Sequence, residues 1–395
     1  MNEVDVVDRR NDVHNVHSST SSTAVGPLGL VGMAPSLSIV IPTWNGLDLL
    51  RECLPSVLAA AAAYRAQTGA ATEVIVVDDG SRDHTVSRLP FEFPEVCVVA
   101  RPSNGGFAAA CNEGFARCRY PLIGLLNNDV WVDQYYFLRQ AEHFCDPAVF
   151  AVTAKVYGWD EPVFMTGGRY GRFRRGFWSV YFNYDVQPER AADWIKHRRL
   201  LSAYAIGGFS TYRRDRIVEL GGFNPLLSPF HWEDVDLAYR GWKHGWEVRY
   251  EPRSVAYHKV SATIDRNFRK KHVDAVSLRN RLLFHWINLH SPTFLLRHLA
   301  MLAVMFLTRI LALDFDFYRA FFQAVSQLDK VRELRRREKA GAARSDASLA
   351  RLLRAFYREA PIRVFWKKPG RVSPEDEPLS IRPTGSSCPR EEKPG

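Results

Sequence analysis

Cysteine is sparse and unpatterned. The six in this 395-residue chain (Cys53, Cys97, Cys111, Cys118, Cys145 and Cys388) form no CxxC pair. That excludes a disulfide framework and a cysteine-based zinc site, and leaves reduced, cytosolic thiols as the expectation. The charged-then-apolar order of a signal peptide is missing too. Residues 1–36 are polar, rich in Ser, Thr, Asn, Val and Asp, and read as a disordered leader. No Gly-rich, Lys-bearing phosphate loop follows the first apolar run, which removes the support for a nucleotidyltransferase. The basic clusters at 169–175, 196–199, 266–271 and 332–339 contain no aromatic-interleaved nucleic-acid motif, so no nucleic-acid partner is expected. The net charge of +10 then points to a nucleoside diphosphate or an acidic membrane face as the anionic partner.

What is present is a repeated unit. An apolar run at 37–42 meets the turn Thr43-Trp44-Asn45-Gly46 and a helical pattern over 47–64. Residues 73–77 stop at Asp78-Asp79-Gly80-Ser81 before another helix start. Strand 96–100 passes through Asn104-Gly105-Gly106 into helix 107–117, and strand 121–126 ends at Asn127-Asn128-Asp129. Such units predict an α/β fold with a mostly parallel, Rossmann-like sheet flanked by helices. Its ligand belongs beyond the carboxyl ends of the strands, where all these loops fall. Antiparallel pieces are expected in the second half. Beyond His258 the chain turns helical, giving a C-terminal helical extension. Residues 293–313 are strongly apolar but broken by Arg297, His298 and Arg309, which reads equally as an interfacial helix or as one packed on the domain. Residues 341–395 read as a charged, largely disordered tail.

Taken singly, each loop has an ordinary structural explanation. Asp78-Asp79 is equally a helix-capping turn. Asn104-Gly105-Gly106 is a flexible turn that also lets backbone approach a phosphate. Asn127-Asn128-Asp129 offers hard oxygen ligands suited to Mg2+ or Mn2+. His231-Trp232-Glu233-Asp234-Val235-Asp236 places three acids within four positions before a helix. Dipole compensation explains acids there, yet their mutual repulsion also raises carboxyl pKa values, which suits a general base. A lone His258 is more often structural than a metal ligand.

Read together, these segments resemble family 2 glycosyltransferases, and among them the rhamnosyltransferase-like and galactofuranosyltransferase-like branch. The resemblance covers 37–288 and rests on Ser38-Ile39-Val40-Ile41-Pro42-Thr43-Trp44-Asn45, Val76-Val77-Asp78-Asp79-Gly80-Ser81, Asn104-Gly105-Gly106, Asn127-Asn128-Asp129, Gly221-Gly222-Phe223, His231-Trp232-Glu233-Asp234 and His258. It implies a GT-A fold with a nucleotide-binding half (37–130) and an acceptor half (131–288); the apolar, basic helical extension (289–340) lies beyond it. Pro42, Thr43, Asn45, Asp78 and Asp79 would hold the nucleoside, with Asn104, Gly105 and Asn128 along the donor. Asp129 and His258, with Asn127, would hold a divalent cation; Asp234, beside Glu233, would be the catalytic base. Asn127 departs from the family's usual Asp and is the one support for an inactive, nucleotide-sugar-binding or scaffold protein on the same fold. The implied function is inverting transfer from a dTDP- or UDP-sugar to a glycan or polyprenyl-linked acceptor for the cell envelope. The implied place is the cytoplasm, with the inner face of the membrane as one option.

Overall fold

The computed structural model describes residues 34–160, 163–186, 192–195, 199–259 and 269–366. Most of the leader, residues 367–395 of the tail, and parts of the 196–199 and 266–271 basic clusters lie outside the described residues.

The chain opens as read: β1 (Leu37–Thr43), α1 (Leu47–Thr68), β2 (Thr72–Asp78), α2 (Thr85–Glu92), β3 (Val96–Ala100), α3 (Phe107–Arg117) and β4 (Leu122–Leu126). Strand β1 is buried along its whole length because both of its faces are covered. Leu37, Ile39 and Ile41 join the core under Leu50, Leu54 and Val57 of α1, whereas Val40 joins the opposite core with Cys111 and Phe115 of α3. The period of two along a strand thus divides one apolar run between two cores.

The second half adds β5 (Val130–Val132), α4 (Tyr136–Ala141), β6 (Val149–Gly158), β7 (Phe164–Thr166), β8 (Gly168–Arg174), β9 (Phe177–Val186), β10 (Phe209–Arg213), α5 (Arg214–Leu220), α6 (Glu233–Lys243) and β11 (Glu247–His258). The main sheet runs β3-β2-β1-β4-β10-β6-β11-β5, with β7 beside β6. Strands β3, β2, β1, β4, β6 and β11 share one direction; β10, β5 and β7 oppose it. Six of the nine strands therefore run one way in a mixed sheet, and the three that oppose them all lie in the second half.

Helices α7 (Lys270–Asn288), α8 (Pro292–Leu311), α9 (Phe315–Val325) and α10 (Leu328–Ala340) follow. The tail expectation needs correction. Residues 346–366 form α11 (Asp346–Glu359) and β12 (Ile362–Trp366), and β12 pairs antiparallel with β9 in a second sheet, β12-β9-β8. Leu349, Leu353 and Phe356 are buried in the core. Their spacing of three and four gives α11 an apolar stripe, and Ser345 caps it by accepting from the Ser348 N–H. The many charges in this stretch simply occupy the outer face.

Candidate functional site

The loops after β1, β2, β3 and β4 converge at one edge of the sheet and line two adjoining hollows. One, of about 400 Å³, is bounded by Pro42, Thr43, Asp79, Asn104 and Asn127 to Asp129 on one side, and by Gly207, Glu233, Asp234 and His258 on the other. The second, of about 660 Å³, is lined by Asn45, Asp78, Arg82, Arg101 and Asn104. Trp44 borders both. Residues from positions 42 to 258 thus meet in one place.

Register explains how Asp129 finds His258. Strand β5 pairs antiparallel with the end of β11 so that Val130 lies opposite His258. The Lys259 N–H donates to the Asp129 carbonyl at 3.1 Å. Across this pairing, His258 Nε2 stands 3.3 Å from Asp129 Oδ1, a buried oxygen that accepts no hydrogen bond from the described residues. Asn128 Nδ2 donates to Thr43 Oγ1 at 2.9 Å and ties the β4 loop to the β1 loop. Asn127 packs under Gly208, whose φ of +92° is left-handed. A Cβ there would stand 2.2 Å from Asn127 Oδ1, so only glycine lets the two loops approach this closely.

The two adjacent aspartates differ in what they do. Both Asp79 oxygens are occupied by the backbone N–H groups of Gly105 (3.0 Å) and Gly106 (2.8 Å) and by the Arg101 guanidinium. Asp79 therefore shapes the loop after β3. Gly105, which the resemblance places along the donor, commits its N–H to Asp79 and lines neither hollow. Asp78 accepts from the Ser81 N–H at 3.0 Å through Oδ2, while its buried Oδ1, at the edge of the larger hollow, has no partner among the described residues. Asn45 braces the same region: its N–H donates to Ser81 Oγ and its Oδ1 accepts from the Arg82 N–H, both at 2.8 Å.

The acids at the start of α6 also separate. Asp236 is wholly buried, accepting from Arg240 Nε at 2.8 Å and Asn288 Nδ2 at 2.7 Å, and it does not line the cleft. Glu233 and Asp234 do line it. Burial pushes the Glu233 carboxyl well up, and the neighbouring Asp234 charge adds to the shift; Glu233 Oε2 is buried without a partner among the described residues. Burial raises Asp234 as well, opposed by the N–H groups of Gly207 (3.2 Å) and Val235 (2.7 Å). Ahead of the helix, His231 (φ +71°) and Trp232 (φ +78°) are both left-handed, a conformation costing roughly 1–2 kcal/mol per non-glycine residue. Asn280 of α7 holds them by donating to the carbonyls of Phe230 (2.9 Å) and His231 (3.0 Å).

Arg101 and Arg169 carry roles that no motif announced. Arg169 is buried beneath the Tyr204 ring at 4.7 Å and held by Thr166, Asn183 and the Val180 carbonyl. Its charge acts on Asp234 to favour the carboxylate. In the sequence it is one arginine of a basic cluster; only its isolation on the buried face of β8 distinguishes it.

Among the described residues no group of three or more His, Cys, Asp or Glu side chains is arranged to hold a metal. The Asp129–His258 pair offers two donor atoms, consistent with an ion bound largely through a ligand's phosphates.

Residues 38–216 match the family model described as Glycosyl transferase family 2. The match spans just under half of the chain, and over it the chain is similar to family 2 glycosyltransferases. The chain is 27% identical over 223 residues to the pre-mycofactocin glycosyltransferase of Mycobacterium tuberculosis, covering 56% of this chain and 42% of that protein. It is 23% identical over 237 residues to the poly-beta-1,6-N-acetyl-D-glucosamine synthase of Staphylococcus aureus, covering 58% of this chain and 51% of that one. The chain thus spans about half, or less, of these relatives. Among solved structures, S. aureus TarS in complex with UDP-GlcNAc superposes with a TM-score of 0.46 at 16% identity, over 82% of this chain. The family 2 match ends before α6, so Asp234 and His258 stand on geometry alone.

Proposed function

We propose that this protein transfers a sugar from a nucleoside-diphosphate donor to a hydroxyl of a glycan in cell-envelope polysaccharide synthesis, with inversion at the anomeric carbon. The observation that carries this reading is the placement of the Asp234 carboxylate in the same cleft as the Asp129–His258 pair. The nucleoside fits the larger hollow, where Asp78 Oδ1 and Asn45 face it. The diphosphate lies toward Asn128, Asp129 and His258. Residues 37–130 then serve the donor and 131–288 the acceptor.

The base is held ready. Asp234 takes the proton from the acceptor hydroxyl as its oxygen bonds to the anomeric carbon and the bond to the nucleoside diphosphate breaks on the opposite face. Glu233, whose neutral form burial favours, sits beside it without adding a second negative charge. Asp129 Oδ1 and His258 Nε2 suit a divalent cation, Mg2+ or Mn2+, which when bound stabilises negative charge on the departing diphosphate. Asn127 is a neutral neighbour in the same loop.

The test is a thermal-shift screen of dTDP-, UDP- and GDP-sugars with and without Mn2+. Binding to the folded state at 100 times Kd stabilises by about 2.7 kcal/mol, so a donor raises the melting temperature, and raises it more with metal. No response to any nucleotide sugar would reject the reading.

A further inference from the structure

Helix α8 has 20 residues, a mean hydropathy of 1.8 and only 11% of its apolar window buried. By length and composition it could cross a bilayer, since 20 residues at a rise of about 1.5 Å span roughly 30 Å. Its contacts fix it differently. The Phe294 ring stacks on Phe173 of β8 at 4.1 Å, His298 Nδ1 is 2.8 Å from the Gly176 carbonyl, and Leu302 is buried. Gly176 packs so closely that a Cβ would stand 2.6 Å from the Arg297 carbonyl. After a turn closed by an Arg309–Asp314 ion pair of 2.8 Å, α9 returns to the domain through Phe317, Ala320 and Ala324, and its Phe321 packs on Trp286 of α7. The start of α8 and the helix that follows it are therefore both fastened to the same body.

The opposite face has no partner among the described residues. Leu296, Leu299, Leu307 and Leu311 recur at helical spacing and are 51–84% exposed, and Leu313 and Phe315 extend the patch across the turn. An apolar surface this continuous needs cover, and the surrounding charge selects it. No acidic residue occurs between Pro292 and Leu313. Arg297 is exposed on α8, and Arg174 and Arg175, exposed on the β8–β9 turn, sit beside it; among the described residues none of the three forms an ion pair. Apolar side chains between cationic ones match the acyl boundary and headgroups of an anionic bilayer.

We propose that α8 and the α8–α9 turn dock this protein on the surface of an anionic lipid bilayer, with α8 lying in the interface plane and the catalytic domain held on one side. This goes beyond the transfer chemistry and does not depend on which donor binds.

Flotation of the full chain with vesicles tests it. Vesicles of phosphatidylcholine mixed with phosphatidylglycerol should carry the protein up, phosphatidylcholine alone much less, and salt should weaken the binding. The double variant Leu307→Asp/Leu311→Asp, which alters only exposed positions, should lower the bound fraction at least about 10-fold while the circular dichroism spectrum and melting temperature stay unchanged. Arg174→Ser/Arg175→Ser/Arg297→Ser should remove the preference for anionic vesicles. Alkaline carbonate should strip the wild-type protein from membranes of expressing cells. Absence of vesicle binding, undiminished binding by the aspartate variant, or resistance to carbonate would each overturn the proposal. So would a wild-type dimer that the aspartate variant splits and that binds no vesicle, since the face would then join two copies of the chain.

Discussion

Replacing Asp346 with alanine removes the carboxylate that joins α11 to the helix bearing the proposed base. Asp346 is buried and accepts from Lys243 Nζ at 2.6 Å, Tyr239 Oη at 2.8 Å, and the N–H groups of His290 at 2.7 Å and Ser291 at 2.6 Å. Tyr239 and Lys243 lie on α6, one and two turns beyond Asp234. Loss of the carboxylate leaves the buried Lys243 ammonium without a counter-charge, and breaking such a pair costs about 3–5 kcal/mol. At roughly 2 °C per kcal/mol for a large domain, the melting temperature should fall by about 6–10 °C. The double variant Lys243→Met/Asp346→Leu removes both charges and should recover part of this. It still orphans the two N–H groups, at about 1–3 kcal/mol each. Urea denaturation of wild type, single and double variants at neutral pH measures all three. Burial pushes the Asp346 carboxyl up, but Lys243 and the N–H donors outweigh it and hold it below its usual range. Its contribution is therefore present above the unfolded value near 4, and is lost as pH falls through the lower folded value. A loss under about 1 kcal/mol for Asp346→Ala, or a double variant no better than the single, would refute the reasoning.

Three further outcomes follow from the site. Gly208→Ala places a Cβ against Asn127 at positive φ, and should cost at least about 2 kcal/mol by denaturation while weakening metal-dependent donor binding. The acid limb of the transfer rate should lie above the ordinary carboxylate value of about 4, because burial raises Asp234; a pH–rate profile with its limb at or below that value contradicts the assignment. The same shift has the opposite sense for stability: the folded state holds an extra proton between the two values, so stability declines as pH rises through them. Asp129→Asn and His258→Ala should each diminish the Mn2+-dependent part of donor binding by calorimetry, and an unchanged metal response would remove the pair from the donor site.

The first four strands were legible because their information is local. Apolar runs ending in polar turns define strands, and parallel strands deliver their loops to one edge, so Asp78, Asn104 and Asp129 could be brought together from sequence alone. The pairing of Asp129 with His258 was legible only through the resemblance, since it depends on the β5–β11 register, which joins residues far apart in the chain. What sequence could not divide was labour among like residues. Asp78 and Asp79 read alike, yet Asp79 is occupied by Gly105, Gly106 and Arg101. Asp236 reads like Asp234, yet Arg240 and Asn288 draw it into the core. Residues 346–366 read as tail because charge dominates their composition and the apolar pattern over 349–357 is short; the pairing of β12 with β9 becomes visible only with a partner surface in place.

Asp234→Asn tests the central claim most directly. The substitution keeps the shape and the oxygen that accepts from Gly207, and removes the capacity to take a proton. Donor affinity by calorimetry and release of nucleoside diphosphate in the presence of cell-envelope glycan extract should be measured side by side. The account predicts donor binding close to wild type and a turnover lower by about 10²–10⁴-fold. Near-normal turnover would contradict it and move the base to Glu233.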